Sequence, residues 1–328
     1  MDHALTLSRR GLGNTWPNPA VGCVLVREGR VVGRGWTQPG GRPHAEVRAL
    51  MQAGDAARGA TAYVTLEPCS HHGKTPPCAE ALIGAGVARV VTALTDPDPR
   101  VSGRGHAMLR AAGIEVTENI RAEAARDLQR GFLTRVTQGR PMLTLKLATS
   151  FDGRIATASG ESQWITGPAA RRHVHLLRLT HDAVMVGGGT ARADRPALNV
   201  RGLGMVRQPV RIVVSGQALP DLPEEGTDHG PLWQFSGSPE SFMADLGARG
   251  LTRVFCEGGG ELAASLLRAG LVDQLIGYSA GIVLGGDGRA ATGPLGLVHL
   301  ADAPRFQLVE SRRIGADLMH RWLRDQAS

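Results

Sequence analysis

Two domains of the α/β class are what the sequence predicts, and three observations carry that expectation. The chain has 328 residues, and at roughly 150 residues per domain this makes about two units, each large enough to bury its own core. Four segments then share one pattern: an amphipathic run, a glycine, a β-branched or leucine residue, and a strand-like stretch. They lie at residues 79–93 around Gly86, 106–117 around Gly113, 242–256 around Gly250 and 261–278 around Gly270. Glycine just past a helix end takes the left-handed conformation that closes the helix, and the apolar residue after it packs back on the last turn. Helices and strands alternating at this length predict a parallel or mixed sheet. Third, Gly139-Arg140-Pro141 breaks a helical stretch (122–138) from an alternating strand (142–149), which places the boundary between domains 1–140 and 141–328. The Pro-, Gly- and acid-rich stretch 220–239 reads as surface loop.

Composition narrows the class of function. Hydrophobic residues make up 42% and charged residues 20%, which is too apolar for a disordered chain. Apolar runs such as residues 20–26 stop short of the ~18 residues that a spanning helix needs, and residues 1–13 lack a signal-peptide core. The expectation is a cytoplasmic protein with no membrane partner. Four cysteines, Cys23, Cys69, Cys78 and Cys256, in such a chain favour reduced thiols used for metal binding or catalysis. The net charge of +7 comes from 37 basic and 30 acidic residues. The basic residues are scattered rather than run together, and few aromatics are available to stack bases, so an anionic small substrate is expected rather than nucleic acid. Only Lys74 and Lys146 are lysines; an ammonium can bind phosphate or transfer a proton, which a guanidinium does poorly.

The first candidate site joins two helix entries. Pro43-His44-Ala45-Glu46 opens an apolar-periodic run, and Glu67-Pro68-Cys69-Ser70-His71-His72-Gly73-Lys74-Thr75-Pro76-Pro77-Cys78 follows a strand and precedes a helix. One histidine and two thiolates, His44, Cys69 and Cys78, leave the fourth position of a tetrahedral zinc open for water, as a catalytic zinc needs. A zinc-held water ionises near neutral pH. His71 and His72 stand as alternative ligands, and Cys23 reads as a small buried hydrophobe. His-x-Glu followed by Pro-Cys and a second Cys is the pattern of the zinc nucleobase deaminases, in which the Glu moves protons rather than binding metal.

The long spacing between the cysteines, together with Asn18-Pro19-Ala20-Val21-Gly22, resembles the deaminase domain of the bifunctional riboflavin-biosynthesis deaminase/reductase family. The resemblance implies a cytidine-deaminase-like three-layer α/β/α domain holding one zinc. Its substrate would be a diaminopyrimidinone bearing a phosphoribosylamino group. It also implies that Glu46 shuttles the proton, that Asn18 contacts the ring and that Lys74 contacts the phosphate. Where the family has Asp-Pro-Asn-Pro, this chain has Asp96-Pro97-Asp98-Pro99.

The second half carries two glycine-rich turns after strands, Gly187-Gly188-Gly189-Thr190 and Glu257-Gly258-Gly259-Gly260-Glu261-Leu262-Ala263. Such turns let backbone amides approach a phosphate. The strings 146–154, 159–167 and 194–201 resemble the reductase domain of the same family, which implies a dihydrofolate-reductase-like α/β fold and NADPH as cofactor. By that resemblance the cofactor meets Ala148, Trp164, Thr190, Asp194 and the turn Gly258, Gly259, Gly260, Glu261, Leu262, Ala263, Ala264 and Ser265. The substrate meets Ser162, Arg178, Leu198, Arg201 and Glu257. Hydride delivery builds negative charge on the sugar oxygen and requires a proton donor there; Glu257 and Asp194 rank ahead of Lys146 for that role. Arg178 and Arg201 suit the substrate phosphate. Where the family has Asp-Ser at a strand end near the cofactor, this chain has Val214-Ser215-Gly216.

The expected function is deamination followed by reduction of the ribosyl group to ribityl, in a homo-oligomer formed through the reductase domain. The alternative is a nucleobase or RNA deaminase with a non-catalytic reductase-like domain.

Overall fold

The computed structural model describes residues 1–73, 76–99, 101–204 and 207–325. The chain divides into two compact units, residues 1–139 and 140–328.

In the first unit the elements run α1 (Asp2–Ser8), β1 (Gly22–Arg27), β2 (Arg30–Trp36), α2 (Ala45–Ala53), β3 (Thr61–Val64), α3 (Cys78–Gly84), β4 (Arg89–Thr92), α4 (Arg104–Ala111), β5 (Glu115–Thr117) and α5 (Ala122–Gln138). The strands form one sheet in the order β2-β1-β3-β4-β5. β1 pairs antiparallel with β2 and β3, whereas β3, β4 and β5 are parallel. Two glycines fix the helices against the sheet. A Cβ on Gly22 would lie 1.9 Å from the Ala4 carbonyl oxygen in α1, and one on Gly35 would lie 2.1 Å from that of Ala45 in α2. Gly22 pairs with Trp36 while Gly35 pairs with Cys23, so these glycines face opposite sides of the sheet. α1 and α2 therefore cover different faces. α3 continues the α2 layer, α4 packs on α3, and α5 touches α1, giving three layers.

In the second unit the elements are β6 (Met142–Thr149), β7 (Arg154–Ala156), α6 (Pro168–Leu179), β8 (Ala183–Gly187), α7 (Gly188–Asp194), β9 (Val210–Val214), β10 (Leu232–Phe235), α8 (Pro239–Ala248), β11 (Arg253–Cys256), α9 (Gly260–Arg268), β12 (Gln274–Ser279), β13 (Arg289–Ala290), β14 (Phe306–Ile314) and β15 (Asp317–Arg324). The main sheet has the order β10-β9-β8-β11-β6-β12-β15-β14. Six strands are parallel, and the β14–β15 hairpin adds to β12 antiparallel. The core at its centre includes Val184, Val186, Val213, Phe255, Ile276 and Tyr278.

All four glycines that the sequence placed at helix ends have positive φ: Gly86 at 69°, Gly113 at 79°, Gly250 at 96° and Gly270 at 66°. Each precedes a strand, as the pattern requires. The stretch 220–239 departs from its expectation, because Leu232-Trp233-Gln234-Phe235 forms the edge strand β10 beside β9. Four residues of alternating burial inside a turn-rich segment are too short a signal to stand out from their neighbours. No helix among the described residues is long and apolar enough to cross a membrane.

Candidate functional site

In the first unit, sequence chemistry and sheet topology bring three ligating atoms together. Each proline disfavours helical backbone at the residue before it, so the helix does not extend back through Pro76-Pro77 and α3 starts at Cys78, with Pro77 extended as its N-cap. His44 is itself the extended N-cap of α2, with Glu46 in the first turn. The His44 Nδ1 lies 3.2 Å from the Cys78 Sγ and 3.7 Å from the Cys69 Sγ, and all three ligating atoms fall within 4.8 Å of one another. Zinc bonds of about 2.0–2.1 Å to nitrogen and about 2.3 Å to sulfur set an N···S tetrahedral edge near ~3.6 Å. The donor set therefore fits one zinc, with three protein ligands among the described residues.

The electrostatics suit a cation. Cys69 accepts a hydrogen bond from the Cys78 main-chain N–H at 3.3 Å. Hydrogen bonding from the Cys78 thiol, and from His44, pulls the Cys69 thiol down to about 4. The same Cys78–Cys69 hydrogen bond pushes the Cys78 thiol up. Glu46 is buried, its carboxyl in contact with the Cys78 thiol, and burial raises it to about 7. The Asn18 amide packs over Gly41, which precedes His44 by three residues in the chain. Lys74 lies outside the described residues. His72 reaches the Glu80 carboxylate at 3.4 Å, and His71 and His72 are absent from the ligand cluster formed by the described residues. Of the departing string, Asp96 is the buried carboxyl, raised to about 6 by that burial, and its Oδ1 accepts the Asp98 N–H at 2.9 Å.

Glu67, within the same motif, has a role that spacing could not reveal. Its buried carboxylate accepts main-chain N–H bonds from Asp96 at 3.1 Å, Gly103 at 3.0 Å, Gly105 at 2.9 Å and His106 at 3.3 Å. Three of those donors are the orphan amides at the start of α4, so Glu67 caps that helix from a distance. Gly105 lets α4 approach the Pro68 carbonyl, from which a Cβ would stand 2.0 Å. Glu67 thereby anchors the turn that presents Cys69. Glu67→Ala is expected to lower the stability of the first unit by roughly 3 kcal/mol or more, since buried donors are left unpaired, and to reduce bound zinc. Denaturant unfolding with metal analysis checks this; a loss under about 1 kcal/mol would contradict the capping role.

In the second unit the two glycine-rich turns meet at the ends of adjacent parallel strands β8 and β11. The Gly187 N–H donates to the Gly258 carbonyl at 3.3 Å, and a Cβ on Gly259 would lie 2.9 Å from Thr190 Oγ1. Gly258 and Gly259 have φ of 92° and 97°, a conformation closed to other residues at low cost. Side chains here would fill the cradle that a dinucleotide phosphate needs. Leu262, Ala263 and Ala264 are buried in α9, while Glu261 packs against Gly293 and Ser265 is half-buried.

Beside this cradle is a charged cluster. Arg178 forms a bidentate pair with Glu257, its NH2 bond being 3.0 Å, and its NH1 donates to the Asn199 carbonyl at 2.7 Å. Burial opposes ionisation of Glu257, but the Arg178 charge and hydrogen bonds outweigh it and hold the carboxyl below its ordinary value. Lys146 faces the same pair. Loss of solvent lowers its ammonium, the Glu257 charge opposes that, and the Arg178 charge adds to it. His175, which the sequence reading missed, meets the Arg201 main chain. Its Nδ1 accepts the Arg201 main-chain N–H at 3.2 Å, and burial followed by the Arg178 and Arg201 charges lowers it. A lone histidine inside an amphipathic helix gives no signal of this kind in sequence.

Leu198 is buried with φ of 51°, holding the loop between α7 and Arg201 in a left-handed turn. Ala148 is half-buried and pairs with Tyr278 across β6 and β12. Ser162 is half-buried; Trp164 is exposed, with the Arg171 guanidinium 4.6 Å from its ring centroid. Asp194 ends α7 on the exposed side and makes no bond to Lys146, Arg178 or Glu257 among the described residues. The cluster thus brings together Lys146, Arg178 and Glu257, with the Arg201 main chain reached through His175, and Asp194 makes no hydrogen bond or ion pair with it among the described residues.

Comparisons with known proteins cover nearly all of the chain. Residues 1–94 match the cytidine and deoxycytidylate deaminase zinc-binding region, and residues 141–320 match the RibD C-terminal domain. The riboflavin biosynthesis protein RibD of Escherichia coli is 45% identical over 97% of this chain and 96% of its own length. Among solved structures, form 1 of Acinetobacter baumannii RibD is 41% identical, with a TM-score of 0.89 over 99% of this chain and 98% of that one. A diaminohydroxyphosphoribosylaminopyrimidine deaminase/5-amino-6-(5-phosphoribosylamino)uracil reductase from Thermotoga maritima is 34% identical, with a TM-score of 0.87 over 99% and 97%.

Proposed function

The chain belongs to the bifunctional riboflavin-biosynthesis deaminase/reductase family, and from that premise we propose how its two units act. It is a riboflavin-biosynthesis enzyme, with a zinc-dependent deaminase in the first unit and an NADPH-dependent reductase in the second. The first unit removes the ring amino group from 2,5-diamino-6-(5-phosphoribosylamino)pyrimidin-4(3H)-one. The second reduces the ribosyl group of 5-amino-6-(5-phosphoribosylamino)uracil to ribityl. The observation that carries this reading is the convergence of His44, Cys69 and Cys78 beside a buried Glu46 in a chain matched over 97% of its length.

In the deaminase, His44, Cys69 and Cys78 would hold the zinc, which would supply the Lewis acidity that lets a water ionise near neutral pH and serve as nucleophile toward a ring carbon. Glu46 takes the proton released and passes it to the leaving amine. Asn18 orients the ring and Lys74 the phosphate. In the reductase, NADPH supplies the hydride. Glu257 stays ionised in its pair with Arg178, which makes it an acceptor and an anchor rather than an acid. Lys146, beside that pair with its ammonium desolvated, is the donor the geometry favours for the sugar oxygen. Arg178 has already committed three of its five N–H donors, which leaves Arg201 the freer guanidinium for phosphate.

The enzyme works in the cytoplasm as a homo-oligomer through the second unit. Supporting the oligomer, the edge hairpin β14–β15 exposes Leu308, Val309 and Leu318, an apolar surface of the kind that partner subunits cover.

The test measures ammonia release and NADPH oxidation on the diaminopyrimidinone substrate, with metal analysis of the same sample. One zinc per chain, with NADPH oxidation dependent on prior deamination, is the expected result. Ammonia without NADPH oxidation would restrict the function to the first unit.

A further inference from the structure

Strand β9 ends at Val214, and the turn after it closes on its own first side chain. Ser215 Oγ donates to the Gln217 carbonyl and accepts the Gln217 N–H, each at 3.1 Å. Arg192, one turn into α7, folds back toward this turn, and its NH1 lies 3.4 Å from the same Oγ. Gly188 makes room for that return: a Cβ there would stand 2.5 Å from Ser215 Oγ and 3.1 Å from Arg192 NH1. Arg192 makes no ion pair with an acidic residue among the described residues, while the space beside Gly216 is open. A hydroxyl and an uncompensated guanidinium therefore stand at the carboxyl ends of the adjacent parallel strands β8 and β9, next to the Gly187–Thr190 turn.

Open parallel sheets take their nucleotides at this edge. An acidic residue there accepts from the ribose 2′-hydroxyl of NAD, whereas an arginine accommodates the 2′-phosphate of NADP. The strand end here offers Ser215 and Gly216 in place of an acid, and the arginine arrives from the helix instead. We propose that Arg192, seated over Gly188 beside Ser215, recognises the 2′-phosphate of the cofactor and makes the second unit select NADPH over NADH. The inference rests on the second unit being a dinucleotide-dependent reductase. The guanidinium provides charge and a planar fork for phosphate, while the hydroxyl fixes its direction. The nearest carboxylate on the same helix, Asp194, is exposed and unpaired with Arg192.

The test is binding, read without turnover. Dissociation constants for NADPH and NADH are measured from nicotinamide fluorescence on the full chain for wild type, Arg192→Gln and Arg192→Lys. Arg192→Gln is expected to weaken NADPH by about 10- to 100-fold, as the loss of a charge-assisted pair implies, and to move NADH by less than about 2-fold. Arg192→Lys restores part of the loss, since charge survives without the fork. NADPH affinity in the wild type falls more steeply with salt than NADH affinity. An unchanged NADPH-to-NADH ratio in both variants, or a wild type without preference, would overturn the role of Arg192 and leave the reductase assignment standing. A wild type that binds neither dinucleotide would overturn both. Arg192 is exposed, so thermal melts of both variants should match wild type, and either variant alone decides the ratio.

Discussion

Glu46→Gln is expected to retain one zinc and to lose ammonia release by about 10²–10⁴-fold, the contribution of a positioned general base and acid. Glutamine preserves the shape of the buried side chain and its contact with the Cys78 side but has no carboxylate to receive a proton. NADPH oxidation with the already deaminated uracil substrate proceeds in this variant, because its chemistry uses residues of the other unit. His44→Ala loses zinc and deamination together, since two thiolates alone make a poor catalytic site. Metal analysis and an ammonia assay on both variants separate proton transfer from metal retention. Deaminase activity at the wild-type level in Glu46→Gln would remove Glu46 from the mechanism.

The parts of the fold legible in the sequence are those written in local chemistry. Gly86, Gly113, Gly250 and Gly270 each carry a backbone requirement that few other residues meet, so a single position marks a helix end and the strand behind it. The convergence of His44, Cys69 and Cys78 was legible because metal ligation restricts residue type so tightly. What stayed hidden is defined by long-range contact. β10 is a short edge strand identified only by its pairing with β9, and the β14–β15 hairpin leaves most of β14 exposed, so no alternation marks a buried face.

The charged cluster shows the same divide. Glu67 reads as part of a metal motif, yet its work is to hold four amides from 29 to 39 residues away. Glu257 and Asp194 outranked Lys146 as proton donors on sequence grounds, because a lysine on a strand resembles any edge charge. The fold pairs Glu257 with Arg178 and leaves Asp194 exposed. Neither property is encoded near the residue itself; each depends on which strand ends beside which.

Lys146→Met should therefore depress NADPH oxidation by about 10²–10⁴-fold while ammonia release and zinc content stay with the wild type. Methionine keeps the apolar stem and removes the donor. The pH dependence supplies an independent reading. The Lys146 ammonium is held below its ordinary 10.5, by desolvation first and against the opposing charge of Glu257. The charged form donates, so reductase turnover is present at low pH and falls as pH rises through the lowered value, giving an alkaline limb below 10.5. Lys146→Arg keeps the charge but releases no proton, so it stays slow and loses that limb. Asp194→Asn provides the contrast: an exposed carboxylate apart from the cluster should cost little in the chemical step. If Asp194→Asn instead carried the large loss while Lys146→Met turned over normally, the donor would lie at the end of α7, and the cluster around Glu257 would serve substrate binding alone.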